Sequence, residues 1–183
     1  MSNHLSGWVP QNVIDDLIDF MDARRTYVRG VVDGELGPAP PLLGPTTLTS
    51  ENSPHGTLFL SEVLAVNEST HEVDGKFPDY IELANTGLTR SLGGYSITDD
   101  PSEPRKFVFP AGTSIGSGQR LMLYADSGTG QGIHLGFSLN GAGEYVLLFN
   151  SAGTLVDSVV FGPQVEDLSI GRTGPGENNW VLT

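Results

Sequence analysis

The sequence predicts an all-β fold, an antiparallel sandwich or barrel, and two observations carry the prediction. From Leu58 onward, short alternating apolar runs recur about every ten residues, with no helical stretch between them. Each run closes on a turn signal, among them Asn85-Thr86-Gly87, Asp99-Asp100-Pro101 and Pro110-Ala111-Gly112. The 24 glycines and 12 prolines suit a fold with many turns. The β-rich part, residues 57–183, is long enough to enclose one sandwich core.

Residues 1–31 carry the one expected helix, over 13–29. Ile14, Leu17, Ile18, Met21, Arg25 and Val28 follow i, i+3, i+4, i+7 spacing. Asn12 is placed to cap it, with Asp15 and Asp16 in the first turn. Arg24, Arg25 and Arg29 fall in the last turns, and Gly30 follows as a stop. Residues 32–56 read as a Pro/Gly-rich linker. Pro38, Pro40, Pro41, Pro45 and Pro54 fix φ and remove donors, which suits neither a helix nor a central strand. The helix is then a remnant of an upstream domain, or a latch that packs back onto the β domain.

The strands are expected at Leu58–Val66, Asp79–Asn85, Gly94–Thr98, Lys106–Phe109, Arg120–Ala125, Glu144–Phe149, Thr154–Phe161, Leu168–Gly171 and Trp180–Leu182. Asn150-Ser151-Ala152-Gly153 makes a short turn between two of them, with Gly153 available for positive φ. In the first strand Leu58, Leu60, Leu64 and Val66 share one face by period-2 counting, and Glu62 falls among them.

Several phrases occur in a fixed order over this region. They are Leu60-Ser-Glu-Val-Leu-Ala-Val-Asn67, Asp79-Tyr-Ile-Glu-Leu-Ala-Asn-Thr-Gly87 and Leu92-Gly-Gly-Tyr-Ser-Ile-Thr-Asp99. Phe109-Pro-Ala-Gly-Thr113, Gly136-Phe-Ser-Leu139 and Gly143-Glu144 follow, then Gly153-Thr-Leu-Val-Asp-Ser158 and Ser169-Ile-Gly-Arg172. Together they resemble the lamin-tail domain of the bacterial type, over about residues 57–183. The resemblance implies an immunoglobulin-like sandwich from a mostly non-catalytic family. Bacterial members usually continue into a Thr-Pro-Gly-x-x-Asn-like tail, and this chain departs from that pattern by stopping at Thr183. Separately, Phe20-Met-Asp-Ala-Arg-Arg-Thr-Tyr-Val-Arg29 resembles the C-terminal end of a CotH-like kinase domain. In some bacterial secreted proteins such a domain precedes a lamin-tail domain. No nucleotide-binding element accompanies that stretch, so no kinase chemistry is assigned to it.

Charge and composition exclude several function classes. The formal net charge is −13, from 22 acids against 9 Lys plus Arg. A surface this acidic repels phosphate backbones and anionic bilayers, so neither nucleic acid nor membrane insertion is expected. The chain has no cysteine, which removes disulfides, thiolate catalysis and Cys-ligated zinc. No apolar run approaches the ~18 residues that a membrane span needs. The first residues lack the basic and apolar regions of a signal peptide, as expected for a piece of a larger protein.

Candidate site residues are few. Gly112-Thr-Ser-Ile-Gly116 is a literal Gly-x-Ser-x-Gly. No helix follows to form a nucleophile elbow, so Ser114 is expected in a turn between strands. His4, His55, His71 and His134 show no metal-binding spacing, and no catalytic residue is assigned. Asn67-Glu68-Ser69 matches a glycosylation sequon, which three residues often do by chance. Glu68, Glu72, Asp74 and Asp79 crowd one loop region, and Asp99 and Asp100 another. They read as a solvated rim, with Asp74 and Asp79 weak candidates for calcium and no other cofactor expected. Glu62 and Glu82 lie in apolar strands, and a buried carboxylate needs a cation or donors. Arg172 is the partner that the lamin-tail resemblance suggests, with Arg120 second.

The reading is a non-catalytic binding or structural module of a larger, secreted or cell-surface bacterial protein. It would attach or position neighbouring domains, or contact another protein or a surface polymer. The alternative is a calcium- or glycan-binding accessory domain of a secreted hydrolase, with Tyr95, Tyr124 and Tyr145 as glycan-contact candidates. Residues 57–183 are expected to fold without the helix, because boundaries fall in linkers of this kind. A fragment starting near Gly56 should show a folded circular dichroism spectrum; an unfolded one would make the helix part of the core.

Overall fold

The computed structural model describes residues 57–174 and 179–183, so the expected helix and linker lie outside the described residues. Twelve strands are present among them. They are β1 (Leu58–Leu64), β2 (Asp79–Asn85), β3 (Arg90–Ser91), β4 (Ser96–Thr98), β5 (Phe107–Val108) and β6 (Ser114–Ile115). The rest are β7 (Arg120–Ala125), β8 (Ile133–His134), β9 (Glu144–Phe149), β10 (Leu155–Phe161), β11 (Ile170–Arg172) and β12 (Trp180–Leu182). A six-stranded sheet runs β12-β11-β1-β2-β7-β8, and a four-stranded sheet runs β10-β9-β4-β5. β3 and β6 form a separate pair. All pairings are antiparallel except β7 with β8.

Alternation makes the core. Val63, Ile81, Leu83 and Leu123 from the larger sheet meet Ile97, Val146, Leu148, Val159 and Phe161 from the smaller one, all buried in a single cluster. These are β-branched, aromatic or Leu side chains at period 2, the pattern that buries one face of a sheet. The turn between β9 and β10 forms where expected. Gly153 takes φ 80°, and Asn150 Oδ1 accepts from Ala152 N–H at 2.9 Å and Thr154 N–H at 3.0 Å. Ser114 lies in the short strand β6 opposite Ser91 and not in the expected turn, and no helix follows it among the described residues.

The first strand differs from simple alternation. A bulge falls between Leu60, which pairs with Leu83, and Glu62, which pairs with Glu82. One extra residue, Ser61, shifts the parity. Leu58 and Leu60 face the core before the bulge, and Val63 and Ala65 face it afterwards. Glu62 is thereby turned off the core face, on which counting by twos had placed it. There its Oε1 accepts from Tyr80 O–H at 2.6 Å and Ser169 O–H at 2.7 Å.

The expected Glu62–Arg172 pair is therefore corrected: Arg172 binds Asp157 of β10. Its Nη2 donates to Asp157 Oδ1 at 3.0 Å and Oδ2 at 2.8 Å. The Arg172 side chain has 0% exposure and Asp157 has 7%, so this is a buried pair joining the two sheets. It also serves the bulge. Arg172 Nε donates to Leu60 C=O at 2.9 Å, and Leu60 N–H donates to Asp157 Oδ2 at 2.8 Å. The registered ladder between β1 and β11 covers Glu62 and Val63 only, so both Leu60 groups would otherwise be buried without partners. β10 has its own bulge between Leu155 and Asp157, which brings the carboxylate into place. Trp180 and Phe59 flank the guanidinium, with ring centroids 4.8 and 5.9 Å from its carbon.

Glu82 is bound by Arg120, the second cation that the sequence offered, and Ser61 O–H donates to its Oε1 at 2.7 Å. Arg120 is 62% exposed, so that pair is worth little next to the buried one.

Removing one partner of a buried pair strands the other. Arg172→Ala should destabilise the domain by about 3–5 kcal/mol. Asp157→Leu with Arg172→Met should cost much less than the sum of the single changes. Urea denaturation of the four proteins measures this, and additive costs would mean that the pair is not coupled.

Candidate functional site

One end of the six-stranded sheet carries an open cleft of ≈ 470 Å³. Three chain segments line it, Ala65–Glu68 after β1, Lys76–Asp79 leading into β2 and Ala125–Gly128 at the end of β7, together with Ser138. Asn67 organises the floor. Its Nδ2 donates to the carbonyls of His71 and Pro78 at 2.8 and 2.7 Å, and its Oδ1 accepts from the N–H groups of Thr70 and His71 at 3.2 and 3.1 Å. With its amide committed inside a buried turn, Asn67 does not offer the side chain that a glycosylation sequon requires. Asp167 pins the same loop. Its Oδ1 accepts from Glu68 and Ser69 N–H at 2.8 and 2.9 Å, and Ser69 O–H binds the other oxygen. These donors hold the exposed carboxyl down at about 2.

Beside the cleft, on the face away from the core, Tyr80, Tyr124 and His134 stand in register across β2, β7 and β8. His71 lies over the two tyrosines, with centroids 5.5 Å from Tyr80 and 5.9 Å from Tyr124. His134 is 5.3 Å from Tyr124 on the ring-centroid measure. Its Nδ1 is 2.5 Å from Asp126 Oδ1. The Nε2 atoms of His71 and His134 are both buried without a hydrogen-bond partner. Burial and the acceptor on Glu62 push the Tyr80 hydroxyl above its ordinary range, so it stays a donor.

A family model described as Lamin Tail Domain matches residues 51–163, more than half of the chain. The chain belongs to that family. No curated protein matches it. The lamin-tail match ends before β11, so Arg172 and the strand that carries it lie beyond the matched segment.

The lamin-tail fold does not bring the acidic candidates together. Asp74 Oδ2 accepts from Gln131 N–H at 3.3 Å, while Asp79 Oδ1 accepts from Asn67 N–H at 3.1 Å inside the cleft. Among the described residues no three His, Asp or Glu side chains converge as a metal set. The tyrosines do not form a common platform either: Tyr95 packs against the core and Tyr124 is covered by histidines. The aromatic-histidine row escaped sequence reasoning because His71 and His134 are far apart in the chain. A signal was present in Gly128-Thr-Gly130-Gln-Gly132, where a bare backbone allows close approach.

Two carboxyls at this end are pushed up. Burial raises Asp79, against the N–H groups of Asn67 and Leu139, with the charge of Glu68 adding to the rise. Burial also raises Glu144 to about 7, opposed by Asn140 N–H and Lys106 and helped by Asp99 and Asp79. A carboxyl raised in the folded state binds its proton more tightly there than in the unfolded chain. Its contribution is full below the ordinary Glu range and is lost as pH rises through about 7. Glu144→Gln keeps the acceptor for Asn140 N–H. In that variant the fall of melting temperature between pH 5 and pH 8 should be shallower than in the parent. Parallel curves would place the titration elsewhere.

Proposed function

We propose that this lamin-tail domain is a non-catalytic structural and binding module of a larger, secreted bacterial protein, and that it positions neighbouring domains. One observation carries the reading: the polar side chains that look functional are committed to joining strands and loops. Asp157 and Arg172 join the two sheets, Glu62 gathers Tyr80 and Ser169, and Asp167 and Asn67 pin the loop after β1. Ser114, in the hydrolase-like motif, sits in a short strand, and no base is hydrogen-bonded to it among the described residues. The acidic surface favours a neutral or cationic partner, a protein or a surface polymer, over nucleic acid.

The test is a panel of acyl, glycosyl and phosphoryl esters presented to the parent chain, Ser114→Ala and His134→Ala. No turnover above buffer is expected from any of them. Turnover in the parent that either variant abolishes would replace the module by an enzyme.

A further inference from the structure

We propose that Asp74 and His134 form a binding site for a d-block divalent cation of the zinc or nickel class. The starting observation is His134. Its side chain is 10% exposed, and its Nε2 is buried with no partner, although its Nδ1 meets Asp126 at 2.5 Å. In the tautomer in which Nδ1–H donates to Asp126 Oδ1, the Nε2 lone pair is free. That is the arrangement by which a carboxylate orients a metal-binding imidazole. Buried polar atoms are nearly always partnered, so the bare Nε2 calls for a ligand.

The second observation is the side chain that Nε2 approaches. A side-chain carbon at Gly130 would collide with Asp74 Oδ2 and stand 3.9 Å from His134 Nε2. The carboxylate oxygen therefore occupies the position that a side chain at residue 130 would take, and it comes within reach of the imidazole because residue 130 is glycine. The same Oδ2 accepts from Gln131 N–H at 3.3 Å. The neighbouring glycines serve the same packing. A carbon at Gly128 would lie 2.6 Å from His134 Nδ1, and one at Gly132 would collide with the Tyr124 ring.

The donor set fixes the class of ion. Calcium and magnesium take oxygen ligands, whereas imidazole suits zinc, nickel and copper. No third His, Asp or Glu joins the two among the described residues, so water would complete the coordination on the side of the exposed Asp74. His134 Nε2 is buried, so metal–ligand distances of about 2.0–2.2 Å need the two side chains to rearrange around the ion. Bound there, the ion would tie the loop before β2 to the outermost strand of the larger sheet.

The experiment uses the full chain, stripped with chelator and titrated with zinc chloride. Calorimetry follows uptake, and long-range proton–nitrogen spectra follow the imidazole nitrogens. One equivalent should bind, with a shift at His134 Nε2, while calcium leaves that resonance unmoved. His134→Gln and Asp74→Asn should each weaken binding at least tenfold, and Asp126→Asn by about 10–100-fold. Gly130→Ala displaces the Asp74 carboxylate and gives a second route to the same loss if a ligand variant fails to fold. No uptake at millimolar zinc, unchanged affinity in both His134→Gln and Gly130→Ala, or shifts confined to the other histidines would overturn the proposal.

Discussion

A charged pair with almost no access to water joins the two sheets at the bulge in β1. β1 enters the larger sheet through a bulge, and a bulge leaves backbone groups with nothing to bond. At Leu60 those groups point to where β11 no longer pairs. Asp157 takes the N–H and Arg172 takes the C=O, while the two side chains neutralise each other. Each of the four groups would be costly alone, and each is satisfied by another of the set. The pair thus fixes three things at once: the parity of β1, the approach of β10 and the docking of β11. An apolar replacement could fill the volume, but it could not answer the Leu60 backbone.

The outer face of the larger sheet follows from the same bulge. Once Ser61 has shifted the parity, Glu62 and Glu82 stand opposite each other, an arrangement that repels unless both are partnered. Different donors serve each one. Hydroxyls of Tyr80 and Ser169 hold Glu62, and Ser61 and Arg120 hold Glu82. Farther along the same face the row turns aromatic and ends at His134. The chain is strongly acidic, yet these carboxylates are individually answered. At the sheet end burial outweighs the donors, and Asp79 and Glu144 hold their protons more tightly than ordinary acids.

Much of this fold was legible in the residues, and the reason for each success is local. Asp79–Asn85, Arg120–Ala125 and Glu144–Phe149 coincide with the observed strands, because uninterrupted alternation bounded by turn residues has one reading. β3, β6 and β8 have two residues each, too few for any period to show. The bulge at Ser61 leaves no mark in composition, so Glu62 was placed on the wrong face and its partner was misassigned. Asp157 could have been found. It shares parity with Val159 and Phe161 in a strand of apolar residues, and the burial argument applied to Glu62 fits it better. The His71, Tyr124 and His134 group depends on a long-range register and on a loop fold, neither of which a linear pattern contains.

Arg172 and Leu60 are 112 residues apart in the chain, and the contact between them has a consequence in time. During synthesis the strands emerge in order, and β1 with β2 can pair early. The bulge in β1 cannot be completed until almost the whole domain has left the ribosome. Until then Leu60 lacks its partners, Asp157 lacks its counter-charge and the flank of β1 that β11 will cover is an open strand edge. Long-range closure of this kind is slow, and an uncovered edge invites other strands. The emergence of β11 with Arg172 thus decides when the nascent domain stops being sticky.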